Sequence, residues 1–183
     1  PFVKFFWRWL ANSLWVSAAT MFAVLVVAAM GSFALGRIRF GLGRWVSGIT
    51  LFTYIIPASF LSIPFFKIMG DYDLLDTYWA LIFDMTTFAA PYALWVLWDY
   101  AKTIPAEIDE SAAIDGAGPL SIFFRIYLPL ITPTLIAVGT YAFFFAWNEY
   151  LYAVLLLQGE SMITLPVGMG NFLTSDDAPW NLL

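Results

Sequence analysis

The carboxylates of this chain gather in one short stretch. Glu107, Asp109, Glu110 and Asp115 stand among the small residues Ser111, Ala112 and Ala113, with Gly116 directly behind. Alone, such a cluster is ordinarily a solvated helix face. As a site it would dock basic groups of another protein, because ionised acceptors make charge-assisted hydrogen bonds and small side chains permit close approach. With no His and no Cys in 183 residues, the common zinc constellations, haem ligation by His, thiol nucleophiles, His-based acid–base catalysis and disulfides are all excluded. There is also no Gly-x-x-x-x-Gly-Lys-Ser/Thr phosphate loop, so this chain cannot hold ATP by that means.

A second set of polar residues lies inside apolar sequence: Asp84, and Glu149 beside Trp147, Asn148 and Tyr150. A carboxylate at the centre of a membrane helix costs about 2.5–3.5 kcal/mol on insertion scales, so neither acid should face lipid. Two readings are open for both: a structural one, in which each pairs with a polar neighbour inside a bundle or lies nearer the interface, and a functional one, in which they line a watery substrate path. Around Glu149 the aromatic faces and the Asn148 amide suit a neutral polyhydroxyl ligand, although aromatic residues in membrane helices commonly serve as packing or interfacial anchors.

The elements that must position these residues are membrane helices. Hydrophobic residues make up 62% of the chain and aromatic residues 20%, while only 11% are charged, against about 25% charged in an ordinary soluble domain. The net charge of -5 and the scattered basic residues exclude nucleic acid as a partner. Four apolar runs, near residues 13–35, 46–66, 77–98 and 133–157, match the roughly 20 residues a helix needs to cross a bilayer. The fold class expected is therefore all-α, a polytopic helical bundle forming a single transmembrane domain over residues 1–183. Asn12 or Ser13 is placed to cap the first span, and Pro57, Pro64 and Pro91 predict bends in the second and third. The chain opens on Pro1 rather than Met, which reads as a segment of a longer protein.

Orientation follows from the basic residues. Arg37, Arg39 and Arg44 after the first span and Lys102 and Arg125 after the third share one side, against Lys4, Arg8 and Lys67 on the other. That bias places the segment 101–132 in the cytoplasm. It should form two short helices: the first capped by Thr103, begun at Pro105 and stopped by Gly116; the second begun after Gly118-Pro119, facing the core with Ile122, Phe123, Ile126 and Tyr127, and ended by Pro129. Beyond the fourth span, Gly159, Pro166, Gly168 and Gly170 predict an external loop or short re-entrant helix around residues 165–168.

The run Glu110-Ser111-Ala112-Ala113-Ile114-Asp115-Gly116, followed by Ile126-Tyr127-Leu128-Pro129, resembles the EAA loop of ABC importer permeases. In that family the pattern is Glu-Ala-Ala, three residues, Gly, nine residues, Ile, one residue, Leu-Pro. Glu110, Gly116, Ile126, Leu128 and Pro129 fit its spacing, with Ser111 in place of Ala. Asn12-Ser13-Leu14, Ala34-Leu35-Gly36-Arg37, residues 74–79 and Trp147-Asn148-Glu149-Tyr150-Leu151 extend the likeness over essentially the whole chain, and it is similar to the MalG-like branch of binding-protein-dependent sugar permeases.

The resemblance implies a multi-pass inner-membrane permease subunit that translocates a sugar or related polyol delivered by an external solute-binding protein. It implies that the subunit is not itself an enzyme and binds no cofactor: ATP and Mg belong to cytoplasmic ATPase subunits. Docking to these would run through Glu107, Glu110, Ser111, Ala112, Asp115, Gly116, Ile126, Leu128 and Pro129, with Asp109 as a further carboxylate. The resemblance also implies a second, homologous permease subunit as partner. The four runs would correspond to the second through fifth of the usual spans. The alternatives are an ABC permease for a non-sugar solute and an ion-coupled secondary transporter using Asp84 and Glu149.

Overall fold

The computed structural model describes residues 2–37, 48–50, 52–53 and 55–174, with side chains from residue 5 onward. Among these residues the regular structure is entirely helical. Helix α1 runs over Phe2–Arg37 without interruption, about 54 Å at 1.5 Å per residue, and so exceeds a hydrocarbon core of about 30 Å. Asn12 and Ser13 do not cap it. They sit within the helix, and their side chains satisfy distant backbone groups: Asn12 Nδ2 donates to the carbonyls of Ser161 (3.0 Å) and Ile163 (2.9 Å), and Ser13 Oγ accepts the Leu165 N–H at 2.8 Å.

The run at 46–66 lies partly outside the described residues. Its described part is interrupted at Pro57, after which a 3-10 turn covers Ala58–Leu61 and helix α2 covers Ser62–Asp71. Helix α3, Tyr78–Ala101, carries Pro91 in its interior. Helix α4 is Glu107–Ile114, and α5 is Pro119–Leu130, which bends by 77° into α6, Thr132–Trp147. After the break at residues 148–150 come α7, Leu151–Leu156, and α8, Leu165–Leu173. Among the described residues Phe5–Arg37 and Tyr78–Ala101 are long and apolar enough to cross a membrane, and the bent pair α5–α6 passes the same test when taken together.

The break after α6 has a local cause. Asn148 Nδ2 turns back to the Phe144 carbonyl at 2.7 Å, and the Glu149 carboxylate takes the Tyr152 N–H at 2.8 Å. Glu149 thereby takes an N–H that would otherwise continue the helical ladder, while Asn148 Nδ2 shares the Phe144 carbonyl with its own backbone N–H. A second irregularity lies in α5, where Phe123–Tyr127 forms a π-helical turn. Pro129 has no N–H to give and its ring crowds the carbonyl four residues back, so the turn ahead of it widens.

The chain sorts into two compact units. One contains α1 up to Thr20, Ala58–Met85 and the chain from Phe143 onward; the other contains Met21–Pro57 and Thr86–Ala142. Within the second unit, Ala28, Ala29, Ala89, Ala93 and Ala142 are buried, and a side chain added at Gly31 would meet Leu94. Small residues let membrane helices approach closely, where dispersion rather than water release drives packing. Large apolar side chains are turned outward instead: Trp7, Trp15, Phe22 and Met30 of α1 are 55–69% exposed, a distribution that fits a lipid or protein neighbour rather than water.

Candidate coupling surface and polar residues of the spans

Helix α4 begins at Glu107, one residue past Ala106, with no side-chain cap. Thr103, expected to cap it, donates its hydroxyl to the Tyr100 carbonyl at 2.7 Å and so closes α3 instead. What favours the start of α4 is charge, since Glu107, Asp109 and Glu110 all fall in its first turn, at the positive end of the helix dipole. Its end is fully specified. Gly116 adopts φ +86, its N–H donates to the Ala113 carbonyl at 3.1 Å, and the Ala117 N–H donates to the Ala112 carbonyl at 2.9 Å. These two bonds are the Schellman pair that satisfies the last carbonyls of a helix.

At 100° per residue, α4 has two sides. Glu107, Glu110, Ser111 and Ile114 share one, all are exposed, and Ile114 is 87% exposed. Asp109 and Ala112 share the other and are half-buried. The small residues expected to act together are therefore divided: Ser111 lies with the acids, while Ala112 faces inward. Asp115 and Gly116 are exposed at the turn. In α5, Ile122, Phe123 and Tyr127 are buried as anticipated, Ile126 and Leu128 are half-buried and Pro129 is exposed.

Asp109 was expected among the outward acids, and the structure corrects this. Its Oδ2 lies 2.7 Å from Nε of Arg37, the last residue of α1, with the two side chains only 14% and 11% exposed. Arg37 also donates from Nη2 to the Ile104 carbonyl at 3.2 Å. A few residues earlier in α1, Ser32 accepts the Tyr127 hydroxyl at 2.9 Å in a buried hydrogen bond. Phe33 packs edge-on to Phe123 (5.2 Å) and Tyr127 (5.1 Å). Tyr127 is within electrostatic reach of both Arg37 and Asp109. A groove of about 490 Å³ runs beside these contacts, lined by Phe33, Arg37, Asp109, Glu110, Ala113 and Ile122 among others. Sequence reasoning treated Arg37 as a determinant of topology and missed this pairing; Arg39 and Arg44 lie outside the described residues.

The polar residues of the spans occupy the other unit. Asp84, in α3, is wholly buried, and neither of its carboxylate oxygens has a hydrogen-bond partner among the described residues. Glu149 and Tyr152 are near enough to interact with it electrostatically. Glu149 is engaged at the start of α7 through the Tyr152 N–H, and the Tyr152 hydroxyl donates to the Ala58 carbonyl at 2.6 Å. Trp147 stacks on Phe143 with centroids 5.8 Å apart. Tyr150 is 48% exposed, and its ring closes on Gly170 of α8. The described residues contain no cluster of acids able to hold a metal ion.

The comparison with known families meets this geometry at the same residues. Residues 28–175, which include α4, the Gly116 turn and α5, match the family of the binding-protein-dependent transport system inner membrane component. The chain belongs to this family.

As a family member it is an inner-membrane protein. It is 39% identical over 181 residues to the inner membrane ABC transporter permease protein YcjP of Escherichia coli strain K12, covering 98% of this chain and 63% of that protein. It is 34% identical over 166 residues to the trehalose transport system permease protein SugB of Mycobacterium tuberculosis strain CDC 1551, covering 91% of this chain and 61% of that one. Its fold is similar, with a TM-score of 0.85 and 27% identity, to a bacterial ABC transporter involved in the import of the acidic polysaccharide alginate, over 98% of this chain and 62% of the other. The chain thus spans a little over three-fifths of the length of these relatives.

Proposed function

We propose that this chain is the greater part of a permease subunit of an ATP-driven importer, and that the imported solute is a sugar or related polyol handed over by an external solute-binding protein. The observation that carries the reading is the outward stripe of α4. Glu107, Glu110, Ser111 and Ile114 project from a short helix whose end is set by Gly116, in the spacing that marks the coupling loop of such permeases. A helix anchored on one face and acidic on the other suits docking into a basic cleft. In this reading the segment 101–132 is cytoplasmic, the cleft belongs to an ATPase subunit that binds ATP and Mg, and this chain carries out no covalent chemistry. A second, homologous permease subunit completes the pathway across the membrane.

The carbohydrate assignment is supported by the relatives, one named for trehalose transport and one for alginate import. It is supported also by the break after α6, where Tyr150 offers an exposed aromatic face and Asn148 an amide, the groups that stack on and hydrogen-bond a sugar ring. Asp84 has no surface to offer a substrate in this conformation.

Transport would proceed by ATP-driven switching between inward-open and outward-open arrangements, with motion of the docked α4 passed to the spans. The test is ATP hydrolysis by the full-length subunit reconstituted with its partner permease and ATPase, with and without binding protein loaded from a sugar panel that includes trehalose and alginate oligomers. Stimulation by a loaded sugar supports the assignment and names the substrate. ATPase assembly without stimulation by any sugar removes the carbohydrate assignment, and absence of assembly removes the importer reading.

A further inference from the structure

The acids of α4 divide between its two faces, and that division gives Arg37 and Asp109 a role of their own. Glu107 and Glu110 belong to the exposed stripe, whereas Asp109, between them in sequence, points back to the end of α1. Among the described residues two ion pairs are present. One, Lys102–Asp99, is exposed at 48% and 59% and joins residues three apart in the same chain segment. The other, Arg37–Asp109, is almost closed off from water and joins α4 to a helix distant in sequence.

Two successive turns of α1 thereby hold the two short helices separately. Arg37 holds α4 through Asp109 and the link ahead of it through the Ile104 carbonyl, and Ser32 and Phe33 hold α5 through Tyr127 and Phe123. The contacts differ in kind. The α5 contact is a broad aromatic packing that resists sliding, while the α4 contact is one charge pair at 2.7 Å, whose attraction is strong at low exposure and falls steeply once the groups separate and water enters. Along the chain, α4 connects only to α3 before it and α5 after it. The ion pair adds a direct route to α1.

Resting on the coupling reading above, we propose that Arg37 and Asp109 are positioning residues for transport: their ion pair carries displacement of the docked α4 into the end of α1, so that ATP hydrolysis moves this helix together with those that follow α4. The pair touches neither ATP nor solute and acts through the stripe that does the docking.

The experiment is a charge swap in the full-length subunit, assembled with its partner permease and ATPase in liposomes and supplied with loaded binding protein. Arg37→Glu and Asp109→Arg are made singly and together, with Arg37→Gln as a milder variant should the reversed charges prevent insertion. Three quantities are read: co-purification of the ATPase, ATP hydrolysis rate, and solute transported per ATP. The expected result is that each single variant retains the ATPase and hydrolyses ATP but transports at least fivefold less solute per ATP, with Arg37→Gln intermediate, and that the double variant recovers at least half of the lost ratio. A merely structural role would lower assembly and hydrolysis together and leave the ratio unmoved.

Unchanged transport per ATP in the single variants and in Arg37→Gln, with the ATPase bound, would overturn the inference and leave the coupling reading standing. So would a double variant no better than the poorer single. If the ATPase does not co-purify with the unaltered subunit, the coupling reading falls and this inference falls with it.

Discussion

Arg37 closes the first long helix and holds Asp109 of the short helix α4 across a 2.7 Å ion pair. That contact turns one acid of the first turn inward and leaves Glu107 and Glu110 on the surface. An acidic run that looks uniform in sequence is thus divided by the helical period into an inward anchor and an exposed acidic face.

The Gly116 turn is the first place to perturb. Gly116 adopts φ +86, and a Cβ there would meet nothing within 4 Å, so the only cost of Gly116→Ala is the left-handed backbone, roughly 1–2 kcal/mol. We expect the variant to insert and to keep the ATPase, with reduced transport per ATP. Gly116→Pro should be far worse, because it also removes the N–H bonded to the Ala113 carbonyl. Uptake assays on both variants, compared at equal expression, provide the check.

Ser32 and Tyr127 should respond asymmetrically. Ser32 Oγ also donates to the Ala29 carbonyl at 3.0 Å, so Tyr127→Phe leaves Ser32 with a partner and should cost about 0.5–1.5 kcal/mol. Ser32→Ala strands the buried Tyr127 hydroxyl and should cost about 1–3 kcal/mol. Thermal unfolding in detergent should therefore place Ser32→Ala below Tyr127→Phe; the reverse order would contradict the geometry.

Asp76 fastens the loop that follows α7. It holds φ +57, and its Oδ1 accepts the N–H groups of Gln158 (3.0 Å) and Gly159 (2.7 Å). Asn keeps an acceptor oxygen and tolerates the left-handed region, whereas Ala does neither. Limited proteolysis across residues 158–164 should leave Asp76→Asn close to the unaltered protein and accelerate for Asp76→Ala, whose loss is about 1 kcal/mol at this exposed site.

Gly168 tests the seating of α8 on α1. A Cβ at Gly168 would overlap the Trp9 indole, and overpacking of this kind costs about 1–3 kcal/mol. Gly168→Ala should lower the unfolding midpoint, and Trp9→Leu in the same molecule should recover part of the loss.

Much of the architecture was legible in the sequence because its signals are local. The uncharged run after Ser13 and the run ending near Trp98 became α1 and α3, and the Gly116 stop was readable from one residue type at the end of an acidic helix. The errors arose where a polar side chain had a distant partner. Asn12 and Ser13 have the chemistry of helix caps, but bond the segment 161–165. Thr103 closes the helix before it rather than opening the one after. The fourth apolar run gave no warning of its break, because hydropathy averages over Asn148 and Glu149 while their side chains take backbone groups. Arg37 was visible as a charge at the end of a span; its pairing with Asp109 required the fold.

The claim that α4 is the docking element is tested most directly by site-specific crosslinking. The 183 residues contain no cysteine, so Ser111→Cys places a single thiol of this segment on the outward stripe, and Ala112→Cys places one on the inward side as a control. With a short thiol-to-amine crosslinker in the assembled transporter, Ser111→Cys should give an adduct of permease with ATPase whose yield changes when ATP is added, and Ala112→Cys should give markedly less. A Ser111→Cys thiol that reacts freely with maleimide in the assembled complex, and never crosslinks to the ATPase in any nucleotide state, would contradict the account.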